Sequence, residues 1–196
     1  MTDIQKSKRP GKTFLISDTH FHHDRAIQFC NRPEDFMGKT IRNWNATILP
    51  QDTVINLGDV SWGNKSKLTS VMEQLTGTKI LVRGNHDKDR TDNWFRDIGF
   101  SFICQKTMIN NIVLSHMPSR LSEDEQNLGI INIHGHFHNL NYDRWEDYLV
   151  DRLTDNHYLL SLEYVKYKPI LLKEAVSSGS VVKSLSLKNK GLWDLC

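Results

Sequence analysis

Lys79-Ile80-Leu81-Val82-Arg83-Gly84-Asn85-His86-Asp87 is the stretch on which the fold turns. Lys79 to Val82 is an apolar run of the kind that forms a buried strand. The run breaks at Gly84 and then presents an amide, an imidazole and a carboxylate in direct succession. A strand end that turns sharply and offers three polar side chains is where an α/β domain places its chemistry. Taken alone, these four residues read equally well as a polar turn. The other strand ends of the chain break the tie.

Working outward toward the N-terminus, Thr53-Val54-Ile55-Asn56-Leu57 reads as a strand ending at Gly58-Asp59, and Thr13-Phe14-Leu15-Ile16-Ser17 as one ending at Asp18-Thr19-His20. Between them Met37, Ile41, Trp44 and Ile48 recur at helical spacing, and Pro50 stops the pattern. Leu68, Val71, Met72 and Leu75 form a second helical face that ends before Gly77. Strand, helix, strand, helix, strand is the signature of a parallel sheet with crossover helices.

Toward the C-terminus, a short helix is expected over Asn93 to Ile98. The apolar runs Phe100–Cys104 and Asn111–Ser115 are expected to form a hairpin near Asn110-Asn111, making the second half more antiparallel. The second of these runs ends at His116. Pro118 to Asn127 reads as a polar loop, and Ile130 to Ile133 as a strand leading to His134-Gly135-His136-Phe137-His138. Asn139 to Asn156 reads mostly as loop, while Leu159–Val165 and Ile170–Leu172 read as late strands. After Val176 the chain is rich in Ser and Lys, with β character at Val181 and Val182.

A length of 196 residues suits one domain, expected over 13–196 behind a flexible basic tail, 1–12. The tail's Lys6, Lys8, Arg9 and Lys12 are expected to be solvated rather than bound to nucleic acid. Hydrophobic and charged fractions of 38% and 24% belong to a globular chain. No apolar run approaches the ~20 residues a membrane helix needs, so no membrane partner is expected. The start of the chain lacks a secretory signal pattern, and the expected location is cytoplasmic. Net charge of +2 is too small to argue by itself for a polyanionic partner. Three cysteines, Cys30, Cys104 and Cys196, in no C-x-x-C arrangement, fit a reducing compartment.

The polar residues just past apolar runs are Asp18, His20, Asp59, Asn85, His86, His116, His136 and His138. Imidazole nitrogens mixed with carboxylate and amide oxygens suit Mn, Fe, Zn, Co or Ni. Eight such groups exceed what one tetrahedral ion needs and suit two ions of higher coordination completed by water. Asp59, with two carboxylate oxygens, is the natural bridge between ions ~3.5–4 Å apart. His136 and His138, two residues apart, point the same way in an extended chain. Any one of these histidines is more commonly a hydrogen-bonded core or surface residue. Five strand ends carrying such groups together make a different case.

The ordered set Asp18-x-His20, Gly58-Asp59, Gly84-Asn85-His86-Asp87, His116 and Gly135-His136-x-His138 resembles the calcineurin-like metallophosphoesterase superfamily over residues 18–138. That resemblance implies an α/β fold, a four-layer α/β/β/α sandwich of two mixed β-sheets flanked by helices. It implies two divalent metal ions, with Mn foremost and Fe, Zn, Ni or Co as alternatives. Asp18, His20, Asp59 and His138 would hold one, and Asp59, Asn85, His116 and His136 the other. His86 would face the scissile phosphate, with Asn85 beside it and Asp87 orienting the imidazole. His23 matches the last residue of an Asp-Thr-His-Phe-x-His pattern found in small members, and it is a candidate for substrate phosphate. Arg120 and Trp62 lie near motif ends, with Arg120 taken as the second candidate for substrate contact. His22 is expected at the surface, and His134 in strand packing or behind the ligands.

The implied reaction is hydrolysis of a phosphate mono- or diester, a small phosphoester or nucleotide. A hydroxide shared by the two cations would be the nucleophile, and His86 would protonate the leaving oxygen. Nucleic acid is the less favoured partner, since the chain has neither the length nor the charge of the superfamily's nucleases. Protein phosphatases continue their second motif as Asp-Arg-Gly, whereas Asp59 is followed here by Val60-Ser61-Trp62-Gly63. A non-catalytic scaffold of the same fold would have lost His86 or several ligands. Substrate choice falls to loops 21–35, 60–66, 117–129 and 139–157. In the last, Tyr142, Arg144, Trp145 and Tyr148 could stack on a ring, although a patch closing the sandwich edge is preferred.

Overall fold

The computed structural model describes residues 9–139 and 147–188. The three N-terminal apolar runs form β1 (Thr13–Ile16), β2 (Thr53–Asn56) and β3 (Thr78–Val82). They pair in parallel, with Thr13 opposite Thr53 and Thr53 opposite Thr78. The crossovers are α1 (Arg25–Phe29) and α2 (Phe36–Thr47), then α3 (Lys65–Met72), whose first turn is capped by the Asn64 side chain. After β3 come α4 (Asp92–Asp97) and β4 (Phe102–Cys104), which extends the parallel set beside β3.

A second sheet is built from β5 (Lys106–Ile109), β6 (Ile112–Ser115), β7 (Ile131–His134) and β8 (His157–Leu159). The short helices α5 (Glu123–Asn127) and α6 (Asp147–Val150) lie in its connections. β9 (Ile170–Leu171) returns to the first sheet antiparallel to β1. β10 (Val182–Lys183) closes the second sheet against β8, followed by α7 (Ser184–Lys188). Among the described residues the two sheets run β4-β3-β2-β1-β9 and β10-β8-β7-β6-β5.

Strand alternation sorts the core into layers. Leu15, Ile55 and Val82 point between the sheets, where they meet Leu114, Ile133 and Leu160. Their neighbours Phe14, Ile16, Val54 and Leu81 point to the other face, against Trp44, Leu68, Val71 and Phe95 of the helices. Outside the second sheet Phe137, Leu149, Leu153 and Leu159 form a smaller cluster. The result is the expected sandwich of two mixed sheets between helical layers. Trp44 is buried, and its indole N–H donates to the Thr76 carbonyl at 2.8 Å, which ties α2 to the turn before β3.

Several expectations need correction. The hairpin at Asn110-Asn111 joins β5 to β6, and β4 belongs to the other sheet; the residues expected to be its connection are themselves a strand. β5 escapes a search for apolar runs because Lys106 and Met108 face solvent. The second half is also less antiparallel than expected, since β6, β7 and β8 are parallel. The late strand begins at His157 and ends at Leu159; the buried Leu160 follows it directly, and the buried Leu162 and Val165 sit in turns that serve the core. α1, α5 and α6 were not expected; each is five residues or fewer, too short to show a periodic face. Of the expected tail, Arg9 is anchored by two contacts to the buried Asp52 carboxylate, 2.7 and 2.6 Å, and residues 1–8 lie outside the described residues. No described helix is long and apolar enough to cross a membrane.

Candidate metal centre and active site

The predicted ligands stand past the carboxyl ends of five strands, three in the first sheet and two in the second. The loops that carry them continue the pairing of the strands. Asp18 N–H donates to the Gly58 carbonyl at 3.0 Å, His20 N–H to Asp59 at 3.0 Å and Gly135 N–H to His116 at 2.9 Å. Asp18, His20, Asp59, His136 and His138 all adopt positive φ, between 45 and 73°. Such backbone costs about 1–3 kcal/mol per residue and persists only where surrounding structure enforces it. Here it aims successive side chains at one point.

Gly58 is needed on two counts. Its φ is +97°, and a Cβ there would lie 2.5 Å from the Gly84 nitrogen. The close approach is bridged by Asp87, whose carboxylate accepts from Gly84 N–H and Asp59 N–H, both at 2.8 Å, and from Val60 N–H at 3.2 Å. These bonds correct the expected role of Asp87. None of its hydrogen bonds goes to the His86 ring; it locks the loops after β2 and β3 together. Burial and the nearby Asp59 charge push its carboxyl pKa up, while the amides oppose that shift.

Two donor clusters result. Asp18, His20 and His138 form one, and Asp59, His116 and His136 the other. Asp59 joins them: its Oδ2 lies 3.3 Å from His116 Nε2 and 3.7 Å from His20 Nε2. Asn85 joins the second cluster, its Oδ1 lying 2.9 Å from His116 Nε2. His86 Nε2 is 3.9 Å from Asp59 Oδ2, on a side chain still 39% exposed, so it reaches the centre from the solvent side.

The chemistry of this donor set fits cations. His116 Nδ1 lies 2.8 Å from the Leu57 carbonyl, which can only accept, so Nδ1 is the donor and Nε2 carries the lone pair in the neutral ring. That lone pair faces the Asn85 oxygen, the Asp59 carboxylate and His136 Nδ1 at 3.1 Å. Acceptors aimed at acceptors call for a positive charge between them. A proton on Nε2 can supply that charge as a cation would: the carboxylates Asp59 and Asp18 push His116 up to about 9, against its burial, and Asp59 is itself held far below the usual range by His116 and His20. Burial and His116 push His136 down to about 3, leaving a neutral imidazole, the form that binds metal.

Residues invisible to sequence reading complete the centre. Glu163 lies 3.6 Å from His138 Nδ1, while His138 Nε2 faces Asp18 Oδ1 at 3.6 Å. Arg32 donates to Glu163 at 2.7 Å and to the Asp18 carbonyl at 2.8 Å. A carboxylate behind a ligating histidine fixes its ring and raises its basicity. Glu163 is 131 residues from Arg32 in the chain, and no motif contains either. Asn56, a polar residue closing an apolar strand, was the one available signal. Its side chain accepts from Gly58 N–H at 3.0 Å, shaping the turn that presents Asp59.

The expected substrate contacts divide. His23 stacks on Trp62 with ring centroids 4.6 Å apart, and Trp62 meets His86 edge-on at 4.9 Å. Trp62 is 53% exposed, so these three rings form one wall of the site. Arg120 lies on the other side, in a cavity shared with Asn85 and His116. His22 faces away and meets the Lys67 carbonyl. His134 is buried, bonded to Ser184 Oγ at 2.8 Å and pushed down to about 3 by burial, a packing residue under α7. Tyr142, Arg144 and Trp145 lie outside the described residues, and the Arg152 guanidinium covers the Tyr148 ring at 5.1 Å.

Comparison with known proteins identifies the family. The chain is 34% identical over 187 residues to the uncharacterized protein MJ1445 of Methanocaldococcus jannaschii, covering 89% of this chain and 97% of that one. Its structure is similar to the crystal structure of AQ665 from Aquifex aeolicus, a protein of unknown function. The TM-score is 0.63 at 27% identity, over 86% of this chain and 99% of the other. The calcineurin-like phosphoesterase family matches residues 11–180, from β1 through β9 and across every strand end that carries a candidate ligand. With the family match spanning nearly all of the chain and the sheet order consistent with it, this chain belongs to the calcineurin-like phosphoesterase family.

Proposed function

We propose that this protein is a phosphoesterase dependent on two divalent cations, manganese first among the candidates, and that it hydrolyses a small phosphate mono- or diester such as a nucleotide. The observation that carries the reading is the pair of donor clusters sharing Asp59. Asp18, His20, Asp59 and His138 would hold one cation, and Asp59, Asn85, His116 and His136 the other. Cations bound there supply a water of lowered pKa and positive charge for the phosphoryl oxygens.

The chain's own groups do the rest. Glu163 and Arg32 fix His138, and the Leu57 carbonyl fixes His116, so ligand geometry is set before substrate arrives. His86 enters from the open side, with its backbone N–H donating to Asp59 Oδ1 at 2.9 Å. From that position its imidazole reaches the substrate phosphate and donates a proton to the leaving oxygen. Trp62 packs against its edge and limits its rotation.

The test is hydrolysis of p-nitrophenyl phosphate and bis(p-nitrophenyl) phosphate with added Mn²⁺ or with EDTA, alongside Asp59→Asn. Metal-dependent turnover that Asp59→Asn removes is the expected result, and the preferred ester separates diesterase from phosphatase. Failure of the protein to bind metal, with no turnover of either ester, would overturn the reading.

A further inference from the structure

Beside the ligands, on the side of Asn85 and His116, lies a cavity of about 530 Å³. Five cationic side chains line it, Arg83, Lys88, Lys106, Arg120 and Arg152, and no carboxylate does. The whole chain carries 25 Lys and Arg against 23 Asp and Glu, so a wall of average composition would mix the two signs. The five come from four separate parts of the fold: the loop around Gly84, the start of β5, the loop after β6 and the turn after α6.

Among the described residues, Lys88, Lys106, Arg120 and Arg152 have no carboxylate partner at ion-pair distance. Arg83 and Arg152 are fixed from behind. Arg83 donates to Asp92 at 3.0 Å and to the Asp87 carbonyl at 2.8 Å, and Arg152 donates to the Pro118 carbonyl at 3.2 Å. The Nε atoms of both are buried with no hydrogen-bond partner. A buried donor without a partner costs free energy, as does crowding five like charges. The crowding of like charge is relieved by an anion with several acceptor oxygens, and guanidinium forks match phosphate geometry.

We infer that this cavity is a subsite for a second phosphate, carried on the same small molecule as the phosphoester that meets Asn85 and His86. The inference rests on the phosphoesterase reading and narrows its substrate class to compounds bearing at least two phosphates. A single ester phosphate facing two cations and His86 leaves Lys88, Lys106, Arg120 and Arg152 without an anionic partner. Long nucleic acid is disfavoured because the cations converge in one recess, whereas a nucleic-acid track needs basic groups spread along a surface.

Calorimetric titration of the Mn²⁺-loaded protein with AMP and with adenosine 3′,5′-bisphosphate tests this without requiring turnover. The bisphosphate is expected to bind about tenfold tighter or better. In the Lys88→Ala, Lys106→Ala double variant, whose two sites are exposed, that advantage is expected to vanish while AMP affinity falls by less than about threefold. Equal binding of the two nucleotides by the wild type, or an equal loss of both in the variant, would overturn the subsite. Tighter binding of a tetrathymidylate than of the bisphosphate would also overturn it, in favour of a nucleic-acid path. Selective bisphosphate binding without hydrolysis of any ester would instead sink the phosphoesterase reading and leave the subsite standing.

Discussion

His86 and Glu163 separate two kinds of contribution to the same centre. His86 reaches the ligands from solvent, its backbone N–H on Asp59 and its ring edge-on to His20 at 5.7 Å, so under the proposed function His86→Ala removes the group that meets substrate and leaves the ligand set complete. We expect turnover to fall by about 10²–10⁴-fold with bound Mn²⁺ unchanged by elemental analysis. Loss of metal in that variant would make His86 a ligand instead. Glu163 is buried behind His138 and touches nothing that reacts. Glu163→Gln keeps its shape and removes the charge that orients His138, so metal affinity is expected to weaken by about 10–100-fold, with activity restored at high Mn²⁺. A drop in turnover that excess metal leaves in place would exclude this role. The two residues also mark how far the sequence could be read. His86 lies in a Gly-Asn-His-Asp motif at a strand end and was legible. Glu163 lies in a turn that looked like a strand, and its partners Arg32 and His138 are brought to it only by the tertiary fold. Asp87 shows a subtler limit, for the motif identified the residue but not its work, which is to accept backbone amides from two loops.

At the level of elements, what could be read was set by burial. β1, β2 and β3 are covered on both faces and announce themselves as apolar runs; β5 is an edge strand with Lys106 and Met108 in solvent, and it reads as a connection. Ser122-x-x-Glu125 is a reciprocal cap that could have revealed α5, but that helix buries no side chain and so has no periodic face. The segment before β1 holds a contact no pattern could supply. Asp52, between α2 and β2, accepts two bonds from Arg9, one from Lys12 N–H at 2.8 Å and one from Leu49 N–H at 2.9 Å. The Arg9 guanidinium and these amides pull its pKa from 3.8 down to about 2. A depressed carboxylate contributes stability that is complete above the unfolded value and disappears as pH falls through the folded one. Asp52→Asn is therefore expected to lower the melting temperature at pH 7. The gap to wild type should narrow as pH drops from about 4 toward 2. A gap that stays constant across that range would mean that Asp52 acts through packing and not through its charge.

For the molecule as a whole, the position of the centre makes metal binding a stability term. Asp18, Asp59 and Asn85 leave the first sheet, while His116, His136 and His138 leave the second, so the ligands close one end of the sandwich. The hydrophobic layer between the sheets holds the same two halves together further in. Cations at this end would bind only when both sheets are in register, which is the condition for a ligand to stabilise the native state alone. At a free Mn²⁺ concentration a hundredfold above the dissociation constant, one such site contributes about 2.7 kcal/mol. For a chain of this size that corresponds to a rise of roughly 5–11 °C in melting temperature. Asp59→Asn weakens both clusters at once, because its carboxylate is the group they share, and its Mn²⁺-induced rise should be the smallest of any single ligand variant. His20→Ala touches one cluster and should keep part of the rise. Thermal melts of the three proteins with Mn²⁺ and with EDTA decide the matter. A similar rise in all three would place the stabilising metal elsewhere on the protein, and a rise lost equally from both variants would mean that one ion, not two, is bound at this end of the sandwich.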